Sequence, residues 1–389
     1  MVLAEPVSNE DRLELVRLQN LERCFASLRD SGPSTVADLT VETGLSRPTI
    51  KDRLKDLIAL GLVAEDGRVV RRGQSSGRPA SRFAVSPRAG YVIGLEFGKH
   101  HERIVVADMA NVVRGRYVFT ADDRTSVSDR MRSLVTRVTE IRDAHRDLGP
   151  LLRIGAAVPG ALAPDGLMTR SPIFREWTGQ NVAHMFARAF DVPIVLQNDL
   201  NAAALAEHRH GAAADAADVV LALVWHQVSA GLIIDGAVRV GRHARAGEMS
   251  QLLSSADDEM LRRWPSMPDF LETLTAAESG DQRSRELVEE FALAAGEQIA
   301  TLLIAVDPDV VVLYGPAAAD DRVAGLVSDA VHAAVSPPED TPLLRAQLGA
   351  DAAATGVLIA ALEAAHGQFF GEAGTPIQQL IEASAPAAR

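Results

Sequence analysis

The feature that most constrains this chain is the spacing of its breakers between residues 31 and 67. Ser31-Gly32-Pro33, Gly44, Ser46-Arg47-Pro48, Gly61 and Asp66-Gly67 fall there in close succession. Each is a helix stop, a helix start or a turn signal, so the segments between them are short helices or strands. Upstream, Leu13, Val16, Leu21, Phe25 and Leu28 recur at helical spacing and predict a first helix ending near Gly32. Ser34 is placed to cap a second helix, Thr35 to Thr43, with Val36 and Leu39 inward. Gly44 supplies a tight turn. Ser46 caps a third helix, with Pro48 in its first turn, where a missing N–H costs nothing. Ile50, Leu54 and Leu57 give that helix one buried stripe, and Gly61 ends it with a left-handed cap. Val63–Ala64 and Arg68–Val70 flank Asp66-Gly67, which predicts a hairpin turn. Helix, turn, capped helix and hairpin in this order are the pattern of a winged helix-turn-helix.

The third helix turns Pro48, Thr49, Lys51, Asp52 and Lys55 away from its apolar stripe, with Arg47 at its start. Short polar and basic side chains in such a place reach base edges and phosphates of double-stranded DNA. Charge supports this. The whole chain carries −13, but residues 47–88 hold 10 basic and 4 acidic residues. A local basic patch on an acidic protein is the footprint of one DNA-contacting module. Arg68 belongs to this face, on the wing. Arg71 to Pro79 is basic and Gly/Ser-rich, and Gly77-Arg78-Pro79 reads as extended because Pro biases its predecessor away from helix. An extended Arg78 there suits a narrow minor groove. The alternatives are a generic three-helix interaction module and a plain linker.

Residues 1–72 therefore form the expected DNA-binding domain and 73–90 a basic linker. From Tyr91 the pattern changes to strands alternating with helices. Residues 91–197 read as a first α/β lobe and 198–389 as a second, with a last helix at about 352–366 able to pack back on the first. Cys24 is the only cysteine, which excludes an internal disulfide and a multi-cysteine zinc site. The longest apolar stretch, near 219–234, is interrupted by His226, Gln227 and Ser229, and the acidic N-terminus lacks a signal pattern. A cytoplasmic protein is expected.

Within this frame lie Gly94-Leu95-Glu96-Phe97-Gly98, Val158-Pro159-Gly160, Gln197-Asn198-Asp199-Leu200-Asn201, Ala246-Gly247-Glu248, Leu271-Glu272, Asp307 to Gly315 and Gly349-Ala350-Asp351-Ala352. In this order, together with Ser46–Gly61 and Gly77-Arg78-Pro79-Ala80, they resemble the Repressor–ORF–Kinase (ROK) proteins over nearly the whole chain. The resemblance implies an α/β fold: a winged helix-turn-helix followed by a two-lobed actin-like ATPase (ribonuclease H-like) domain. It implies either a sugar kinase or a winged-helix regulator, acting as a homodimer or a dimer of dimers.

Departures from the kinase pattern point to the regulator. Family kinases hold ATP with an Asp-x-Gly-Gly-Thr loop. Here Glu96 replaces the Asp, and Lys99 and His100 take the Gly/Thr positions. The second phosphate loop becomes Trp225 to Gly231, where bulky residues replace glycines. The adenosine-side Gly-Gly becomes Gly315-Pro316. Gln251 stands at the family's zinc-binding His, and no cysteine follows; the loop is left to pack through Leu252, Met260, Leu261, Trp264 and Phe270. These changes imply no ATP, no metal, no cofactor and no catalytic residue. By resemblance Asn198, Asp199, Glu248, Gln251 and Glu272 line a site for a small carbohydrate effector, whose hydroxyls suit carboxylates and amides. The alternative for these residues is structural: Asn198 and Asp199 capping a helix, Glu248 holding a turn. A carbohydrate kinase with a DNA-binding extension is the alternative for the whole chain.

Overall fold

A computed structural model describes residues 9–69, 80–122, 124–225, 228–249, 267–335 and 341–371. The N-terminal unit comprises α1 (Asn9–Ser31), β1 (Ser34–Thr35), α2 (Val36–Thr43), α3 (Arg47–Ala59), β2 (Val63–Val69) and β3 (Ala80–Val85). Leu21, Phe25, Leu28, Leu39, Ile50, Leu54 and Leu57 fill its core. Leu13 and Val16, expected in that stripe, point outward at 65% and 51% exposure, because α1 extends past the helices that cover its second half.

Three local expectations change. Thr35, not Ser34, caps α2: its hydroxyl accepts from the Asp38 N–H while the Asp38 carboxylate accepts from the Thr35 N–H, a reciprocal capping box. Ser34 sits in β1 and donates to the Gly32 carbonyl. Asp66-Gly67 is a bulge inside β2, with Gly67 at φ +77°, rather than the hairpin turn. The hairpin partner of β2 is β3, with Val63 opposite Val85 and Val69 opposite Ala80. Residues 80–85, read as linker, therefore complete the wing sheet in the order β1-β3-β2. The alternation after Pro79 carries that strand; the Gly/Ser run before it masked it.

The rest is built twice on one plan. In the first sheet β4 (Tyr91–Phe97), β5 (His101–Asp108) and β6 (Val113–Thr120) form a meander. β7 (Leu151–Val158) and β10 (Ile194–Asn198) then add parallel to β4, giving the order β10-β7-β4-β5-β6. In the second, β11 (Val219–Val224), β12 (Val228–Ile234) and β13 (Ala237–Val238) form the meander, and β14 (Val310–Tyr314) and β15 (Leu343–Arg345) add parallel to β11. Helices α4 (Val127–Ala144) and α5 (Val182–Ala189) cover the outer face of the first sheet. Helices α7 (Met267–Glu278), α8 (Gln282–Val306) and α9 (Asp321–Ala334) cover that of the second. A small pair, β8 (Ala161–Leu162) and β9 (Met168–Arg170), follows β7.

Two helices fill the space between the sheets. Helix α6 (Asp199–His210) is Ala-rich and buried from Leu200 to His208, including the polar Asn201, Glu207 and His208. Helix α10 (Ala352–Phe370) lies against it and on β4 and β7 of the first sheet. The approach leaves no room for side chains. A Cβ on Gly94 would stand 2.2 Å from the Ala354 carbonyl oxygen, and one on Gly356 1.7 Å from that of Ala202. At its far end α10 meets the N-terminal unit: Phe370 packs on Phe25 at 5.2 Å, and His366 on Phe25 edge-on at 5.7 Å. One continuous apolar cluster runs from Leu21, Phe25 and Leu57 through Val92 and Val105 to Leu358 and Leu362. No described helix is long and apolar enough to cross a membrane.

Candidate functional site

Two regions concentrate functional chemistry. The first is the outer face of α3. Ser46 caps the helix, its hydroxyl accepting from the Thr49 N–H, with Pro in the first turn. Burying Ile50, Leu54 and Leu57 forces Arg47, Pro48, Lys51, Asp52 and Lys55 outward, and all five are exposed. Thr49 is half-buried and its hydroxyl is held 2.8 Å from that of Ser46. Lys55 pairs with Asp52 at 3.3 Å, both exposed, a pair worth little in water. The Arg68 backbone lies in β2, but its side chain, like all of Arg78, falls outside the described residues.

The second is a cavity of about 420 Å³ at the C-terminal ends of the parallel strands, where open α/β sheets place ligands. Glu96 from β4, Asp199 from the start of α6 and Tyr314 from the end of β14 meet there. Leu223, Leu313, Pro316, Ala318 and Ala346 supply apolar wall. Arg103, on β5 beside Glu96, is 3.4 Å from its carboxylate and 3.9 Å from that of Asp351; Arg116 binds Asp351 at 2.8 Å. Asp351 opens α10, so the half-buried Glu96–Arg103 pair is tied to the first turn of the helix that reaches Phe25.

Burial sets the protonation of this cleft. It raises Glu96, against the pull of Arg103. It pushes Asp199 up to about 7, helped by the negative charges of Glu96 and Glu248 and opposed by the Leu200 N–H. It also raises the Tyr314 phenol, again with Glu96 and Asp199 acting in the same sense. Asp199 and Glu248, forty-nine positions apart in sequence, therefore share one electrostatic field. Glu248 is held there by its turn: Gly247, at φ +78°, has its carbonyl bonded by the Ala230 N–H at 2.8 Å. A Cβ on it would lie 2.0 Å from the Ala230 oxygen.

Asn198 takes a different role. Its Oδ1 accepts from the N–H groups of Leu200 and Asn201, and its Nδ2 donates to the Gly160 carbonyl at 2.8 Å. Its amide caps α6 and ties it to the Pro159-Gly160 turn. Glu272 stands exposed on α7, away from the cavity wall. Gln251 lies outside the described residues, as do Leu252, Met260, Leu261 and Trp264; of that expected packing set Phe270 is fully buried. The Trp225 ring is turned into the second-lobe core, edge-on to Phe270 at 5.2 Å, so packing takes up its bulk. Arg103 and Arg345, which also lines the cavity, were not legible as cleft residues, because nothing in a strand's sequence marks which charged side chain a distant element will meet. Tyr314 carried a weak signal, a phenol ending an apolar parallel strand.

Comparison with known proteins agrees with the fold. The model of the ROK family matches residues 92–260 and 255–364. The DNA-binding transcriptional dual regulator NagC of Escherichia coli K12 is 24% identical over 241 residues, 62% of this chain and 58% of NagC. The xylose repressor of Bacillus subtilis 168 is 22% identical over 244 residues, 61% of each chain. The chain thus spans about six-tenths of the length of these relatives. Among solved structures, a ROK family transcriptional regulator, a homologue of the E. coli MLC protein, superposes with a TM-score of 0.66 at 18% identity, over 92% of this chain and 98% of that one. The ROK hexokinase of Thermus thermophilus superposes at 0.58 with 24% identity, over 70% and 97%. With two sheets of one plan, a cleft at the ends of their parallel strands and a family match across both, this chain belongs to the ROK family.

Proposed function

We propose that the chain is a DNA-binding regulator of transcription, of the repressor type. In this reading it acts in the cytoplasm as a homodimer or dimer of dimers on a palindromic double-stranded operator. It binds a small carbohydrate in its cleft and transfers no phosphate. The observation that carries the reading is the exposed row Arg47, Pro48, Lys51, Asp52 and Lys55 on a capped helix of a winged unit. In this reading Arg68 and Arg78 add further cations for the same duplex. The names of the relatives, repressors and a dual regulator, favour the same activity.

On the ligand side Asp199 and Glu248 carry the recognition, Asn198 holds the helix that presents Asp199, and Glu272, exposed on α7, takes no part. A ligand that competes for Glu96 or Arg103 loosens Asp351 and with it the start of α10, whose other end packs on Phe25. Such a ligand alters DNA affinity only by binding one arrangement better than another. Fluorescence anisotropy of the full chain on the DNA upstream of its own gene tests the reading. Tight binding that sugars modulate, with modulation lost in Glu248→Gln, is the expected result. Affinity no better than for random DNA contradicts it.

A specific observation supports a second reading. A carboxyl titrating near 7 is matched to general-base work on a hydroxyl, as in a carbohydrate kinase with a DNA-binding extension. An ADP-release assay over common hexoses and amino sugars separates the two: turnover abolished by Asp199→Asn establishes the kinase, and no turnover leaves the regulator.

A further inference from the structure

The winged unit holds a groove of about 910 Å³ between α3 and β3. Arg47, Lys51 and Lys55 line one side, at i, i+4 and i+8, so they form one row about 12 Å long. Arg82, on β3, lines the other. Asp38 and Glu65 are the acids of the groove, and the Asp38 carboxylate is engaged by the Thr35 N–H at 2.9 Å and hydroxyl at 2.7 Å. Four cations thus face two carboxylates across a channel open to solvent.

Arg82 differs from the lysines opposite. It is half-buried, and its Nη2 donates to the Pro33 carbonyl at 3.0 Å. Pairing of Arg82 with Thr35 in the sheet fixes its backbone as well. A guanidinium held by one of its five N–H groups keeps the others for a second acceptor, and it is ordered before that acceptor arrives. A flat fork of donors with fixed position fits phosphate oxygens.

We propose that this groove seats one phosphodiester strand of DNA, with Arg82 as its contact on the wing side and Arg47, Lys51 and Lys55 as its contacts on the helix side. Sequence reading then falls to the neighbouring face of α3, at Pro48, Thr49 and Asp52. This assignment rests on the DNA-binding reading and narrows it: the cations of α3 position the duplex and do not discriminate bases.

The test uses Arg82→Gln, which keeps an N–H for Pro33 but removes the charge, and Arg82→Lys, which keeps the charge. Anisotropy titrations of the full chain run from about 50 to about 200 mM salt, on the upstream duplex and on a scrambled duplex. Arg82→Gln should weaken both duplexes by the same factor and flatten the plot of log affinity against log salt by about one. Arg82→Lys should keep the wild-type slope. An unchanged slope in Arg82→Gln, or a loss confined to the upstream duplex, overturns the assignment. So does displacement of both duplexes by inorganic phosphate at constant ionic strength, which would give the groove to a small phosphate. Failure of the wild type to prefer its upstream duplex would instead remove the regulator reading, and the slope of the scrambled duplex would still judge the groove.

Discussion

The N-terminal unit and the cleft organise charge in opposite ways. On α3 one short segment supplies every cation of the row, each exposed, above a stripe of fully buried aliphatic residues. In the cleft Glu96, Arg103, Asp199, Glu248, Tyr314 and Asp351 come from six places spread over 256 positions and are brought together by burial. The first arrangement is a surface whose charge costs the fold almost nothing. The second is a set of like charges held close in a partly dry space, which the fold tolerates by leaving Asp199 protonated over part of the neutral range.

The contrast is broken first at the scaffold. Gly356→Val should destabilise the chain by about 4 kcal/mol or abolish soluble protein, because the new Cβ falls 1.7 Å from the Ala202 oxygen and α10 cannot seat. Denaturant unfolding, or yield where the variant fails to fold, reads this out. A mild effect would mean that α10 is not clamped between the sheet and α6.

Asp199 gives the next effect. Its folded pKa of about 7 lies above the usual carboxyl value, so between about pH 4 and 7 the native state holds the extra proton and stability falls as pH rises. Asp199→Asn should therefore stabilise by about 1–2 kcal/mol at pH 8, with the gain vanishing below about pH 4. A melting-temperature series against pH checks this; a gain independent of pH would remove the like-charge account.

His366 has the opposite sign. Burial between Phe25 and Phe370, with Arg29 near, pushes it down to about 4, below its unfolded value of about 6.5. Its Nε2 has no hydrogen-bond partner. Stability from this junction is complete above about pH 6.5 and is lost as pH falls toward 4. His366→Phe should recover about 1 kcal/mol at pH 5 and little at pH 8. The smallest effect is expected on α3: Lys51→Ala should change stability by less than about 0.5 kcal/mol while weakening DNA binding. Loss of fold in Lys51→Ala would show that the row is structural.

What the sequence made legible follows the same division. The helices of the N-terminal unit follow from local rules: caps at Ser46, breakers at Gly44 and Gly61, stripes at helical spacing. Its errors are local too. Thr35 competes with Ser34 for one cap, and a bulge at Gly67 uses the same residues as a turn. In the cleft, the family resemblance put Asp199 and Glu248 forward, whereas Arg103 and Arg345 come to the cavity only through strand order, which places β5 beside β4 and β15 beside β14. The contact of α10 with Phe25 was equally invisible, since two helices separated by most of the chain carry no mark of each other.

The central claim is that the exposed row on α3 serves a specific duplex. The most direct measurement is the affinity of the full chain for the DNA upstream of its own gene, set against a scrambled duplex of equal length and composition at about 150 mM salt. The account predicts a preference of at least about 10³ for the upstream duplex. Equal affinity for the two would contradict it.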